Sequence, residues 1–409
     1  MKNNLSERAA WIAVLVAGLG YFVDVFDMWL FGNFRVASLQ SLGLVGQELT
    51  DIGIWLLNWQ QAGFLVGGFI WGIMGDKRGR AEVMFGSIFI YSLATFLNAF
   101  VTNVDQYAIL RFFSGLGLAG EIGAGITLIS ELLPKHKRGI GTTFVTALGV
   151  SGAIAAAAAG KYMDWKTAYF VGGLMGFALL LLRILVHESG LYSKIKNRSD
   201  VAKGSLALIF KSPERILKYC ICIMLGIPIY LCFGLFVSFS PEIAKSIGIT
   251  ESFTVPDIML FASIGLTVGD LLAGTLSQIM QSRKKPILIF LSVATIAGLA
   301  IPLGIPQTVL QYQIICGVMA LATGYWACLI TVAAEQFGTN IRATVATTIP
   351  NLIRGSSIII TYAFGKLHPS MGVSQSVLLI TVIIFVLCFA SIWQLKESFH
   401  RDLDYLEIG

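Results

Sequence analysis

Among the ionisable residues inside long apolar stretches of this sequence are Asp24, Asp27, Arg111, Glu121, Asp270 and Arg354. At the centre of a lipid-spanning helix each would cost at least ~2.5–3.5 kcal/mol unless it faced protein or water, so their placement has to be functional or internally paired. Two chemistries follow. A guanidinium presents a planar donor fork that matches a carboxylate or phosphate, which makes Arg354 a partner for an anionic solute or for one of the acids. Pro350, one turn earlier, would kink that helix and free a carbonyl nearby. A carboxyl whose burial and arginine neighbours change can load and release protons, the role open to Asp24, Glu121 and Asp270. Each has a plainer reading: a permanent Arg354–Asp270 salt bridge, a solvated headgroup-level acid at Asp27, a packing role for Arg111. Asn58, Gln60, Gln61, Tyr230, Tyr325, Trp326 and Asn351 could complete a pocket or be ordinary helix packing.

The elements that must hold these residues are membrane helices. Fifty-six per cent of the 409 residues are hydrophobic and 13 % are charged, and the mean hydropathy is +0.77, an excess no water-soluble core explains. About 20 apolar residues cross the ~30 Å hydrocarbon layer as a helix. Twelve stretches of that length lie near 10–32, 52–74, 82–101, 107–133, 140–160, 167–187, 216–239, 257–280, 286–305, 309–334, 343–365 and 374–395. They do not alternate as barrel strands would. With a cytoplasmic N-terminus, 21 of the 29 Lys and Arg fall in inside segments, five outside (Arg35, Lys161, Lys166, Lys245, Lys366) and three within spans. That excess places both ends in the cytoplasm and reads the +6 net charge as topology rather than nucleic-acid binding. The charged start, Lys2 to Arg8, precedes a retained span, not a cleaved signal. All six cysteines lie in spans, where small apolar packing is expected, and four scattered histidines offer no metal spacing, so neither a metal nor a cofactor nor an enzyme activity is expected.

The chain also looks duplicated. Glu131 to Arg138 and Glu335 to Arg342 have the same seven-residue spacing, 204 positions apart, and a near-equal shift lays Gly75-Asp76-Lys77-Arg78-Gly79-Arg80 over Met280-Gln281-Ser282-Arg283-Lys284-Lys285. Two like halves in so apolar a chain point to a transporter. The expected units are an N-terminal six-helix bundle at 1–187, a linker at 188–215 and a C-terminal bundle at 216–409, pseudo-symmetric and all-α.

The 75–80 turn after span 2, Arg111-Phe112-Phe113-Ser114-Gly115-Leu116-Gly117 opening span 4, and Glu131 to Arg138 closing it resemble the signatures of the major facilitator superfamily. The similarity covers the whole chain. Asp24-Val25-Phe26-Asp27 is similar to the helix 1 run of acid:proton symporters, and Glu188-Ser189-Gly190 to a sugar-porter run, with Val25, Gly190 and Ala119 departing from the usual residues. Span 5 carries Gly149 and Gly152 but no Gly-Pro pair of the drug-antiporter kind, which favours uptake over drug export. The resemblance implies a twelve-helix fold, a site between the halves and alternating access. Gly75, Asp76, Gly79, Arg80 and the pairs Glu131/Arg138 and Glu335/Arg342 would lock the inner face. The expected function is proton-coupled uptake of a small organic anion by a monomer in a bacterial inner membrane. The alternatives are uptake of a neutral or cationic solute such as a sugar, amino acid or nicotinamide-like molecule, uniport, or a solute receptor that does not transport.

Overall fold

A computed structural model of the chain describes residues 7–78, 80–120, 135–184, 207–337 and 339–399. Twelve helical segments follow one another at the expected positions: α1 (Glu7–Ser41), α2 (Gly46–Arg78), α3 (Arg80–Asn98), α4 (Val104–Leu118), α5 (Lys135–Tyr162), α6 (Trp165–Ile184), α7 (Pro213–Leu231), α8 (Val255–Ile279), α9 (Lys284–Ala300), α10 in two pieces (Val309–Thr323 and Trp326–Glu335), α11 (Thr339–Met371) and α12 (Val373–Gln394). Helix is the outcome because lipid offers no partner for backbone polar groups, so each segment must satisfy its own. Among the described residues, six stretches are long and apolar enough to cross a membrane on length and composition alone. Large apolar side chains on their outer faces, such as Ile296, Val386 and Trp393, are exposed, as a lipid-facing surface requires.

Several ends extend past the apolar runs. Helix α1, whose apolar run ends near residue 32, continues to Ser41, which takes Arg35 out of the loop expected for it and buries it completely. Helix α7 runs on through a π-helical turn, Cys232–Val237, and α10 breaks at Gly324 and Tyr325. Pro350 lies inside α11, which stays continuous, so the discontinuity falls in α10 instead.

Duplication is visible in the backbone packing. Helices α2 and α4 touch through Gly63 and Gly115, where an added Cβ would stand 2.1 Å from the Phe112 and Gln60 carbonyl oxygens. Gly265 repeats this against Gly317 at 2.1 Å, and Gly269 repeats Gly67, each 202 positions on. Small residues at such crossings let helix backbones meet where no hydrophobic drive joins helices in lipid. Between the halves α2 lies along α11 and α5 along α8, while α1 reaches α8 and, through Trp29 against Tyr230, α7.

Candidate functional site

Helix α1 brings Tyr21, Asp24, Met28 and Trp29 to one side by helical spacing. Opposite them, α7 contributes Tyr230, α8 Asp270, the second piece of α10 Trp326, and α11 Arg354. Tyr21, Met28, Trp29, Tyr230, Asp270, Trp326 and Arg354 line a cavity of about 30 Å³ between the halves, on the order of two water molecules in size. Any organic solute therefore needs the halves to part.

Arg354 is the centre of this place. Its Nη2 donates to Asp24 Oδ2 at 3.1 Å, an ion pair buried on both sides that joins the two halves. The guanidinium stands 4.6 Å above the Phe64 ring, and Nε and Nη1 reach no acceptor among the described residues. The alternative Arg354–Asp270 bridge is absent from the described ion pairs. Asp270 Oδ1 instead accepts the Ala327 N–H at 2.9 Å, at the start of the second piece of α10. Gly324 makes this possible: its missing Cβ would sit 2.7 Å from Asp270 N, so α10 can break directly against α8.

A second buried set lies one turn further along α1. Asp27 is 1 % exposed, so it is not a solvated acid. Thr95 and Ser114 donate to its two carboxylate oxygens at 2.7 and 2.6 Å. Arg111, equally buried, donates to the Tyr169 hydroxyl at 3.4 Å and sits over the Phe31 and Tyr169 rings. Tyr169 in turn bonds Tyr107, which donates to Ser38.

The remaining expected residues serve helix contacts. Asn58 accepts from Thr361 at 2.6 Å, tying α2 to α11, and Asn351 donates to the Ala119 carbonyl at 3.2 Å. The Tyr325 hydroxyl donates to the Leu225 carbonyl at 2.8 Å, so it braces the α10 break rather than facing the cavity. Gln60 and Gln61 are buried on α2, outside the cavity lining. Glu121 and Glu131 lie outside the described residues. So do Gly79 and the side-chain surroundings of Gly75, Asp76, Arg80, Arg138 and Arg342.

Glu335 does have a described partner, Arg283: Nη2 to Oε1 is 3.0 Å. Ser398 also donates to Glu335 at 2.7 Å. The α8–α9 turn carries Arg283 over the end of α10, so this contact closes the C-terminal half on itself. Beside it Glu397 takes the Ser282 hydroxyl and the backbone N–H groups of Arg283, Lys284 and Phe399. Partial burial opposes its charge, but these donors outweigh burial and hold the carboxyl at about 2.

Spacing did not show what closes the far face, the one carrying the α1–α2 turn. Arg35 Nη2 bonds both Glu242 carboxylate oxygens, at 2.8 and 3.0 Å, and the Ser238 carbonyl at 2.9 Å, with its guanidinium 4.3 Å above the Phe239 ring. Thr50 donates to the same Glu242 at 3.3 Å. Lys161 pairs with Asp257 at 2.9 Å, and His368 on α11 approaches Gln47 and Asp51 by α2. Three helix pairs from opposite halves are thus tied at one face. The signal available in the sequence was the stretch from Asp27 to Arg35 with no turn residue before Gly43 except Gly32 and Asn33.

Two helical halves that meet at buried opposite charges around a cavity, tied shut at one face, define a membrane transporter built for alternating access. A family model described as the Major Facilitator Superfamily matches residues 17–362. The chain belongs to that superfamily and is a multi-pass membrane transporter, not an enzyme. It is similar to the putative niacin/nicotinamide transporter NiaP of Bacillus subtilis, 27 % identical over 95 % of this chain and 96 % of that protein. It also resembles the 4-hydroxybenzoate transporter PcaK of Pseudomonas putida, 28 % identical over 50 % of this chain and 46 % of that one. Its fold matches the xylose transporter XylE from E. coli in an inward-open conformation, with a TM-score of 0.73 at 16 % identity, covering 96 % of this chain and 98 % of that one.

Proposed function

We propose that the protein takes up a small, flat organic monocarboxylate together with protons, with the anion on Arg354 and the proton on a carboxyl beside it. The observation that carries this is the Arg354 guanidinium: fully buried, at the seam of the halves, with two donor nitrogens unmatched. A buried cation with spare donors is stabilised by an acceptor that completes it. Aromatic rings from Tyr21, Trp29, Tyr230 and Trp326 around that cation suit a ring-bearing acid. NiaP and PcaK are named for ring compounds, and two of those compounds, niacin and 4-hydroxybenzoate, are carboxylic acids.

In this reading the units 1–187 and 216–409 rock about the cavity, with 188–215 joining them on the cytoplasmic side and the far face outside the cell. The setting is a bacterial inner membrane and the working unit a monomer. Asp24 is the proton site, and Asp270 positions the broken piece of α10.

A second reading, uptake of a neutral or cationic solute, rests on Asp270. With Arg354 already balanced by Asp24, this second acid would leave the cavity with a negative excess. Thermal stability of the detergent-purified protein with nicotinate, 4-hydroxybenzoate and nicotinamide at pH 5.5 and 7.5 separates the two, because a ligand that binds only the folded protein raises stability by RT ln(1 + [L]/Kd). Stabilisation by the acids, stronger at pH 5.5 and lost in Arg354→Ala, supports the first. Stabilisation by nicotinamide alone, with Arg354→Ala indifferent, replaces it by the second.

A further inference from the structure

One carboxylate on the cavity wall is only half matched. Asp270 sits well inside α8, partly buried, and is the sole acid among the described residues that line the cavity. Its Oδ1 accepts the Ala327 N–H, the one hydrogen bond described for this side chain. An ionised carboxylate has about four acceptor sites on its two oxygens, so a single N–H leaves Oδ2 and most of that capacity open. Capping the second piece of α10 does not need the charge, because an asparagine Oδ1 would take the same N–H. An acid at that depth of a span has to face protein or water, and Asp270 faces the cavity.

The same cavity holds Arg354, whose Nε and Nη1 reach no acceptor among the described residues. The two opposite charges share one space without pairing: the guanidinium takes Asp24 instead, and Tyr21 stands within electrostatic reach of both Arg354 and Asp270. The rest of the lining is aliphatic or aromatic, with Trp29, Leu266 and Trp326 among it.

We propose that Asp270 is a second recognition point, which reads a hydrogen-bond donor on the solute, a ring hydroxyl or a ring-borne N–H, while Arg354 holds the carboxylate. The inference rests on the reading of Arg354 as the anion site and narrows the substrate class from ring acids at large to ring acids that carry a donor away from the carboxylate. A solute of that kind matches both open groups at once. A plain ring acid leaves Asp270 Oδ2 against an apolar ring when the halves close on it, and a substituent that only accepts sets a lone pair against a carboxylate oxygen. The sign of the preference separates Asp270 from the two tyrosines on the lining. A tyrosine hydroxyl turns to donate or to accept, so it suits a hydroxyl and a methoxy oxygen alike, whereas a carboxylate only accepts.

The test is calorimetric titration of the detergent-purified, full-length protein at pH 6, where a phenol keeps its proton. The probes are benzoate, 3-hydroxybenzoate, 4-hydroxybenzoate and 4-methoxybenzoate. Wild type should bind the better hydroxybenzoate about 10- to 100-fold more tightly than benzoate, the range set by a hydrogen bond to a charged acceptor, and 4-methoxybenzoate no better than benzoate. Asp270→Asn keeps an oxygen for the Ala327 N–H and turns an amide N–H towards the cavity. In that variant the preference for a hydroxyl over benzoate should shrink to within about threefold, while 4-methoxybenzoate gains. A wild type that binds benzoate as tightly as both hydroxybenzoates, or a hydroxyl preference that survives Asp270→Asn, would overturn the proposal and leave the anion site standing. If Asp270→Asn does not fold, the wild-type order decides by itself: a hydroxybenzoate above both benzoate and 4-methoxybenzoate supports an acceptor-only partner on the lining, and any other order overturns it. Binding of none of the four acids overturns the reading of Arg354 and this proposal with it, a result distinct from a flat series in which all four bind alike.

Discussion

Removing the charge on Glu242 should open the far face. In the structure Arg35 is fully buried, and its Nη2 has Glu242 as its only described charged partner, supported by the Ser238 carbonyl and the Phe239 ring. Its Nε and Nη1 reach no acceptor among the described residues. Glu242→Gln keeps the shape and one hydrogen bond but leaves a buried cation uncompensated. Breaking one side of a buried pair costs about 3–5 kcal/mol. The Glu242 side chain is 19 % exposed, so screening brings the expected cost to about 2–3 kcal/mol in the closed state. In the open state water solvates Arg35 and the cost largely vanishes. A differential of about 2.5 kcal/mol is roughly 60-fold in the equilibrium between the two. A protein about 99 % closed at this face would become about 60 % closed.

The Lys161–Asp257 pair gives the comparison, because its side chains are 33 % and 26 % exposed. A pair that open is worth about 0–1 kcal/mol, so Lys161→Ala should shift the same equilibrium only a few-fold. Pulsed electron paramagnetic resonance reads the outcome, with spin labels on Val45→Cys and Ile305→Cys. Both positions are exposed loop sites at the far face, on opposite halves. Cys220, exposed, is replaced by serine beforehand, and the five other cysteines are buried. A second, longer distance should appear in Glu242→Gln and be minor in Lys161→Ala. Equal effects of the two, or an unchanged Glu242→Gln distribution, would refute the reasoning that burial of Arg35 concentrates the lock there.

Three further outcomes follow from the described contacts. Gly269→Ala would place a Cβ 2.0 Å from the Leu321 carbonyl oxygen, so α8 and α10 must part; a loss of about 1–3 kcal/mol is expected, read as a lower melting temperature, and Gly274→Ala, whose Cβ meets nothing within 4 Å, serves as the control. Tyr325→Phe deletes the bond to the Leu225 carbonyl and should cost about 1 kcal/mol of stability in thermal unfolding, with solute affinity changed less than about threefold because the hydroxyl faces away from the cavity. Glu397 has a carboxyl held at about 2, below its usual value of about 4.3, so its contribution to docking the segment after α12 is complete above about pH 4.5 and is lost as the pH falls towards 2. Hydrogen exchange at residues 395–399 should therefore be flat from pH 5.5 to 7.5 after correction for intrinsic rates, and Glu397→Gln should raise it across that whole range.

How much of this was legible depends on the range of the interaction concerned. Helix positions follow from apolar length alone, because a segment in lipid must satisfy its own backbone, and that requirement is local. Helix ends are less local. The outward run of α1 to Ser41 hides behind Arg35, whose polarity argues for a loop until Glu242 on the other half is known. The rule that a charge in a span must face protein selects Asp24, Asp27, Arg111 and Arg354, all of them buried. It cannot choose partners: Arg354 meets Asp24, 330 residues away, instead of Asp270, 84 residues away in its own half. Asp270 was drawn off by a break in α10 that nothing in the apolar run Ile315 to Ile330 announces except Gly324.

The duplication explains why one class of contact is legible and the other is not. Gly63 and Gly67 recur as Gly265 and Gly269, in the same roles, and Gly115 recurs as Gly317 with more room, so the packing inside each half was written twice. Two of the charge pairs at the seam were not. Asp24 faces Arg354 and Arg35 faces Glu242 as single, unrepeated pairs between the halves. A contact within a half persists through rocking, whereas a contact across the seam must form and break in each cycle. Substitutions at the repeated glycines should therefore appear in melting temperature with the state distribution unmoved. Substitutions at Asp24, Arg35, Glu242 or Arg354 should move that distribution or its pH dependence, by more than any change they make in unfolding.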